Sequence, residues 1–212
     1  MLHCAVLIPA YNEAAHVSRV VEAARATGYA VWVVDDGSSD ATAQTARTAG
    51  ADVLALQKNQ GKGGAVFAGA AHLDTDVVVL LDADLLGLTP EHIQKLAEPV
   101  LSGQATMTRG VFSGGRWRTT AAQRITPQLN GQRALRRSKL LEVEGLAESR
   151  YGIEVAITEH AKRARWRVLE VPLPGMSQVM KEEKRGFWAG SALRLKMYRE
   201  IFRELFRGWA RR

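Results

Sequence analysis

Two aspartates, Asp82 and Asp84, follow directly on the apolar run Val77–Leu81. Carboxylate oxygens suit a hard divalent cation such as Mg2+ or Mn2+, which keeps substrate phosphates in its own shell. Both are candidate metal ligands, flanking Ala83. One member of such a pair can hold the metal while the other faces a ribose or an ordered water. A plain strand-end turn would use the same residues. A second acidic pair, Asp35 and Asp36, closes the run Val31–Val34. A carboxylate there can accept a hydrogen bond from a nucleobase N–H, and Ser38, Ser39 or Asp40 is expected to cap the next helix. A third cluster, Gly61-Lys62-Gly63-Gly64, opens a helix. Glycines there let backbone N–H groups approach a phosphate, and a helix N-terminus favours anions.

That glycine cluster is not a Walker loop, which needs Gly where Leu56 stands and Ser or Thr where Gly63 stands. No Gly-X-Gly-X-X-Gly follows the first strand, so a dinucleotide fingerprint is absent too. Further on, Gln132-Arg133 and Arg136-Arg137 fall in a stretch that reads as helical, with Arg116 and Arg118 upstream. Arginine suits bidentate phosphate recognition, and one or two of these are candidate ligands. Glu154 sits among Ile153, Val155 and Ile157, either as a tuned carboxylate in a cleft or as an exposed helix acid. His160 reads as a surface or satisfied histidine.

The elements that must carry these residues alternate. Strands are expected at Ala5–Pro9, Val31–Val34, Ala51–Leu56 and Val77–Leu81, and helices at Glu13–Thr27, Asp40–Ala49 and Gly63–His72. Thr89-Pro90-Glu91 is a helix start: a cap, a first-turn proline, then an acid. Continuous apolar strands between helices predict an α/β fold, a mostly parallel sheet with helices on both faces. Ligands bind such sheets beyond the carboxyl ends of the strands, where every acidic cluster above is found. The second half is less regular. Met107–Arg118 reads as a loop, Ala121–Leu141 and Tyr151–Ala164 as mostly helical, Arg167–Leu173 as a strand, Met180–Gly186 as a charged loop and Phe187–Arg212 as a terminal helix.

The composition is that of a globular protein: 46% hydrophobic and 24% charged residues in 212. It is consistent with one domain, divided into an acidic half (1–105), a basic stretch (106–186) and the C-terminal helix (187–212). The single Cys4 fits a reducing, cytoplasmic compartment, and Met1–Pro9 is too short for a secretory leader. Charge is uneven. Residues 1–105 hold 6 Lys/Arg and 12 Asp/Glu, and residues 106–212 hold 23 and 10. An acidic half suits a metal site and a basic half an anionic partner. In the terminal helix, Tyr198, Ile201, Phe202, Leu205 and Trp209 form a stripe with arginines interspersed. It either docks on the domain or lies on an anionic membrane.

Four segments together resemble the family-two glycosyltransferases, whose nucleotide-binding fold is called GT-A: Val6–Glu13, Val33–Thr42, Asn59–Ala65 and Leu80–Asp84. The resemblance implies that Pro9, Tyr11, Glu13, Asp36, Lys62, Asp82 and Ala83 line a nucleotide-sugar pocket, with Asp82 near the ribose and Asp84 on the metal. In the second half, Asn130–Arg137, Tyr151–Val155 and Val168–Pro172 resemble the polyprenyl-phosphate sugar synthases. Asp84-Leu-Leu86 is similar to the glucosyl-3-phosphoglycerate synthases. Leu86 stands where the first branch has Gln, no His occurs in Gly175–Arg185 where the second has a ligand, and the family's Glu-Asp base dipeptide is absent. The third metal ligand and the stereochemical outcome therefore stay open.

The implied reaction moves a sugar from a UDP- or GDP-sugar to a phosphate-bearing acceptor. The metal and Lys62 would stabilise the diphosphate leaving group. Arg116, Gln132 and Arg133 would hold the acceptor, with Asp84, Glu154 and Arg133 as the catalytic set. An acceptor phosphate, already ionised near neutral pH, needs no strong base. A membrane surface met through the terminal helix and a second copy of the chain stand as open contacts. Nucleic acid is not an expected partner. The competing readings are a nucleotidyltransferase, which wants its lysine-bearing loop directly after the first strand, and a non-enzymatic nucleic-acid or membrane module, which leaves the ordered acidic strand ends unexplained.

Overall fold

The structure, a computed structural model, describes residues 2–113, 131–149 and 152–178. Arg116, Arg118, the segment 114–130 and both the charged loop and the helix expected after residue 179 lie outside the described residues. The first half follows the strand–helix alternation: β1 (Cys4–Ala10), α1 (Val17–Arg25), β2 (Ala30–Asp35), α2 (Thr42–Thr48), β3 (Asp52–Ala55), α3 (Lys62–His72), β4 (Val77–Leu80), the short β5 (Leu85–Leu86) and α4 (Pro90–Leu101). The second half has β6 (Met107–Ser113), β7 (Arg133–Arg136), α5 (Arg137–Leu141), α6 (Ile153–Arg163), β8 (Val168–Pro174) and β9 (Ser177–Gln178).

Seven strands form one sheet in the order β3-β2-β1-β4-β7-β6-β8, and β5 and β9 form a separate two-stranded ribbon. β3, β2, β1 and β4 run parallel. β7 is antiparallel to both of its neighbours, and β6 and β8 are parallel. The apolar strands are continuous because both faces are covered. On β1, Val6 and Ile8 pack with α1 and α4 residues, while Ala5 and Leu7 pack with α3, α5 and α6 residues. Helix α1 buries Val17, Val20, Val21 and Ala24, the spacing of one helical face.

Several expectations are corrected at the level of elements. Met107–Ser113 is strand, not loop. Gly110 disguised it, and Gly110 is needed there because a Cβ would lie 2.4 Å from Leu173 Cδ1 on the neighbouring strand. Arg133–Arg136 is strand, not helix. Its good helix formers are overridden by their place between β4 and β6. Helix α1 starts at Val17 rather than Glu13; residues 13–16 form a turn in which Glu13 O accepts from the N–H groups of His16 and Val17. Helix α2 starts at Thr42, whose N–H donates to Asp40 Oδ1 at 2.9 Å, so Asp40 does serve that helix. Helix α4 starts at Pro90 behind Thr89 as expected.

Candidate active site

The carboxyl ends of β1, β2 and β4 lie side by side, and Arg133, which starts β7, pairs with Leu80 at the end of β4. Four connections therefore meet at one edge. The connection after β1 is pinned to that after β2. Asn12 N–H donates to Ser38 Oγ at 2.9 Å, Asn12 Oδ1 accepts from Ser39 N–H at 2.9 Å, and Glu13 N–H donates to Thr42 Oγ1 at 2.8 Å. Tyr11 is exposed, and the Glu13 carboxylate lies 3.0 Å from His16 Nδ1.

Asp36 is buried at 3% exposure. Its two carboxylate oxygens accept from the N–H groups of Gln60 and Gly61, at 2.7 and 2.8 Å. It therefore anchors the glycine-rich segment, as a charge-assisted acceptor of backbone donors. Two of the glycine N–H groups are spent within the protein rather than offered to a phosphate. Gly61 N–H is taken by Asp36, and Gly63 N–H donates to Ser149 O at 2.9 Å. A Cβ on Gly63 would lie 2.1 Å from that same oxygen, so the glycine serves close packing of α3 on the 146–149 turn.

Lys62, at the start of α3, reaches across the edge to two carboxylates. Its Nζ is 2.6 Å from Asp82 Oδ1 and 2.5 Å from Glu154 Oε1. Burial works against the ammonium, but Asp82 and Glu154 prevail and hold its pKa above the ordinary lysine value. Asp82 Oδ2 in turn accepts from Gln132 Nε2 at 2.9 Å. Glu154 lies in the first turn of α6, where the helix dipole favours a carboxylate. Beneath it, Arg133 donates to Glu154 O and to Thr158 Oγ1, both at 3.0 Å. Burial pulls the Arg133 pKa down to about 10, which leaves it charged at neutral pH. Pro9, Lys62, Asp82, Gly131, Arg133 and Glu154 are among the walls of one small cavity.

Asp84 is half-buried two residues beyond Asp82, while Ala83 and Leu85 turn into the apolar core. Directly after it, Leu85 and Leu86 pair with Gln178 and Ser177. Among the described residues no three His, Cys, Asp or Glu side chains form a cage for a metal. The set fits a cation that takes one protein carboxylate and completes its shell with phosphates and water.

Residues 5–160 match the model of the family described as Glycosyl transferase family 2. The chain belongs to this family. Among curated relatives, the undecaprenyl-phosphate 4-deoxy-4-formamido-L-arabinose transferase of Edwardsiella ictaluri (strain 93-146) is 40% identical over 110 residues, which is 46% of this chain and 34% of that protein. The protein of the same name in Klebsiella pneumoniae (strain 342) is 37% identical over 110 residues, 46% of this chain and 33% of the relative. The chain thus spans about a third of the length of these relatives. Among solved structures, glucosyl-3-phosphoglycerate synthase from Mycobacterium tuberculosis in complex with Mn2+, UDP and glucosyl-3-phosphoglycerate superposes with a TM-score of 0.78 at 22% identity, covering 98% of this chain and 80% of that one. Its complex with Mg2+ and UDP gives 0.78 at 22%, covering 98% and 79%. The likeness establishes the GT-A fold.

In this family 2 chain, the four sequence motifs of residues 6–84 end at the same edge of the sheet. Sequence reasoning placed Lys62 and Asp82 in one pocket but did not foresee the ion pairs that join Lys62 to Asp82 and Glu154. It missed Gly131, Ser149 and Thr158 altogether. Thr158 is four residues after Glu154, one helical turn, and that spacing is the signal that could have found it.

Proposed function

We propose that the chain is a metal-dependent glycosyltransferase that moves a sugar from a nucleoside-diphosphate sugar to an acceptor bearing a phosphate. The observation that carries this is the Asp82–Lys62–Glu154 cluster beside Asp84 at the carboxyl edge of a GT-A sheet. Pro9, Tyr11 and Glu13, on or after β1, line the base side of the pocket, and Asp36 supports them by fixing the glycine-rich segment. Asp82 faces the ribose. Asp84 holds Mg2+ or Mn2+, which neutralises charge on the diphosphate as it leaves.

Lys62 has a task beyond the one read from the sequence. Its ammonium is shared by two carboxylates and so holds Asp82 and Glu154 in place at the edge where the diphosphate is bound. Glu154 lies on the side of the sugar or acceptor. Support for a UDP-sugar donor comes from the nucleotide named in the solved neighbours' complexes. Support for a phosphate on the acceptor comes from the relatives' undecaprenyl phosphate and the neighbour's phosphoglycerate product. Arg116 belongs to the acceptor side of this reading. So does contact of the helix expected at 187–212 with a cytoplasmic membrane face, and a homodimer is compatible with it. No helix among the described residues is long and apolar enough to cross a membrane.

The test is a thermal-shift panel of UDP- and GDP-sugars with and without Mn2+, since a ligand of the folded state raises the melting temperature. A metal-dependent shift with one nucleotide class is expected, and Asp84→Ala should abolish the metal dependence. No shift with any sugar nucleotide, or an Asp84→Ala protein with unchanged metal-dependent turnover, would sink the reading.

A further inference from the structure

Gln132 and Arg133 were natural candidates for holding an acceptor, yet they are only 0% and 1% exposed. Their side chains turn inward. Gln132 Nε2 donates to Asp82 Oδ2, and the Arg133 guanidinium donates to the backbone oxygen of Glu154. Asp82 and Glu154 are in turn joined through Lys62. The contacts therefore close a ring: Gln132, Asp82, Lys62, Glu154, Arg133, and back through the peptide bond that links Arg133 to Gln132.

Gly131 lies at the centre of this ring's geometry. A Cβ there would sit 2.8 Å from both Asp82 Oδ2 and Lys62 Nζ, and 2.9 Å from Asp82 Oδ1. These are hydrogen-bond distances, too short for a carbon that prefers about 3.5 Å or more from its neighbours. Gly131 is not among the glycines with a left-handed φ. Its backbone conformation does not call for glycine; the space above the ion pair does. A side chain here would have to displace the Lys62 ammonium or the Asp82 carboxylate from their present places, or lift the segment that carries Gln132.

We infer that Gly131-Gln132-Arg133 is the positioning element of the site. It sets the separation and orientation of the Asp82 and Glu154 carboxylates, and Gly131 is the residue that allows the ring to close. The three residues act through Asp82 and Glu154. The inference deepens the proposed glycosyl transfer and rests on it for its kinetic consequence alone. The ring itself is a property of the folded chain.

Two double-mutant cycles test it, each read by urea midpoint and by kinetics. Gly131→Ala should lower the midpoint in the native background but lower it less in a Lys62→Ala background, where the ammonium no longer crowds the Cβ and the Asp82 carboxylate, released from its ion pair, is free to turn away. Should Lys62→Ala not fold, Gly131→Ala with Gln132→Leu closes an uncharged cycle. There the second change should add little, because lifting the segment has already broken the Gln132–Asp82 bond. In an active enzyme, Gly131→Ala and Gln132→Leu should each lower kcat at least tenfold with KM for the sugar nucleotide within about threefold, because a misplaced group is felt in the transition state. Additive midpoints in both cycles, or a Gly131→Ala enzyme with native kcat, would overturn the inference. If the native protein turns over no sugar nucleotide, the glycosyltransferase reading falls, and the midpoints still decide the ring.

Discussion

Lys62 shows what a single residue type conveys and what it hides. A lysine between glycines at a helix start pointed to an anion, and anions do meet it, but they are the protein's own carboxylates. No local pattern announces a partner 92 residues away in the chain. The raised Lys62 pKa also fixes its part in pH dependence. A raised lysine pKa contributes stability that is complete below the ordinary value of 10.5 and is lost only as pH climbs through the folded value, so this pair leaves the neutral range flat. His92 behaves oppositely. Burial, then the Lys95 charge, lowers its pKa below 6.5, and its Nδ1 accepts from Thr89 N–H at the start of α4. The unfolded chain therefore binds the proton more readily, and stability must fall as pH drops below 6.5 toward the folded value. Urea midpoints of the native protein should decline over that window. In His92→Gln, which keeps an acceptor at the same helix position, that decline should be reduced. An equal decline in the variant would assign it to other groups.

At the scale of elements, the parallel half was legible and the antiparallel insertion was not. Helix α1 and strands β1, β2 and β4 announce themselves because burial on one face or on both leaves a periodic or continuous apolar record. Strand β7 has no such record. Arg133, Ala134, Leu135 and Arg136 favour helix intrinsically, and only the flanking strands decide otherwise. Strand β6 was hidden by Gly110, where the missing side chain makes room for Leu173. Gly110→Ala should therefore destabilise the protein by about 1–3 kcal/mol, the usual penalty for overpacking. A Leu173→Ala partner should recover part of that loss, measured as urea midpoints. A neutral Gly110→Ala would show that β6 and β8 can move apart.

For the whole molecule, the division of charge outlines the chemistry: an acidic first half ends its strands in carboxylates, and a basic second half follows. If the second half draws in a phosphorylated acceptor by its overall field, salt should weaken that attraction by screening. Raising ionic strength from about 0.01 to 0.15 M shortens the screening length from roughly 30 to 8 Å. KM for the acceptor should then rise severalfold while KM for the sugar nucleotide, held beside a metal, changes less. Equal responses of the two constants would remove the field from the account. The site was legible as a set of strand ends because a parallel sheet brings them to one edge. Its closure by β7 and α6 depends on contacts across the chain, which spacing alone does not encode.

The ribbon of β5 and β9 has a consequence for the order of assembly. Strands β1 to β4 pair with partners met early along the chain, but Leu86 waits for Ser177. In a chain that grows from its N-terminus, that partner emerges only after the four parallel strands have been made. The backbone just past Asp84 thus cannot be stitched down until then. The four parallel strands are made well before the partner that fastens the segment after Asp84.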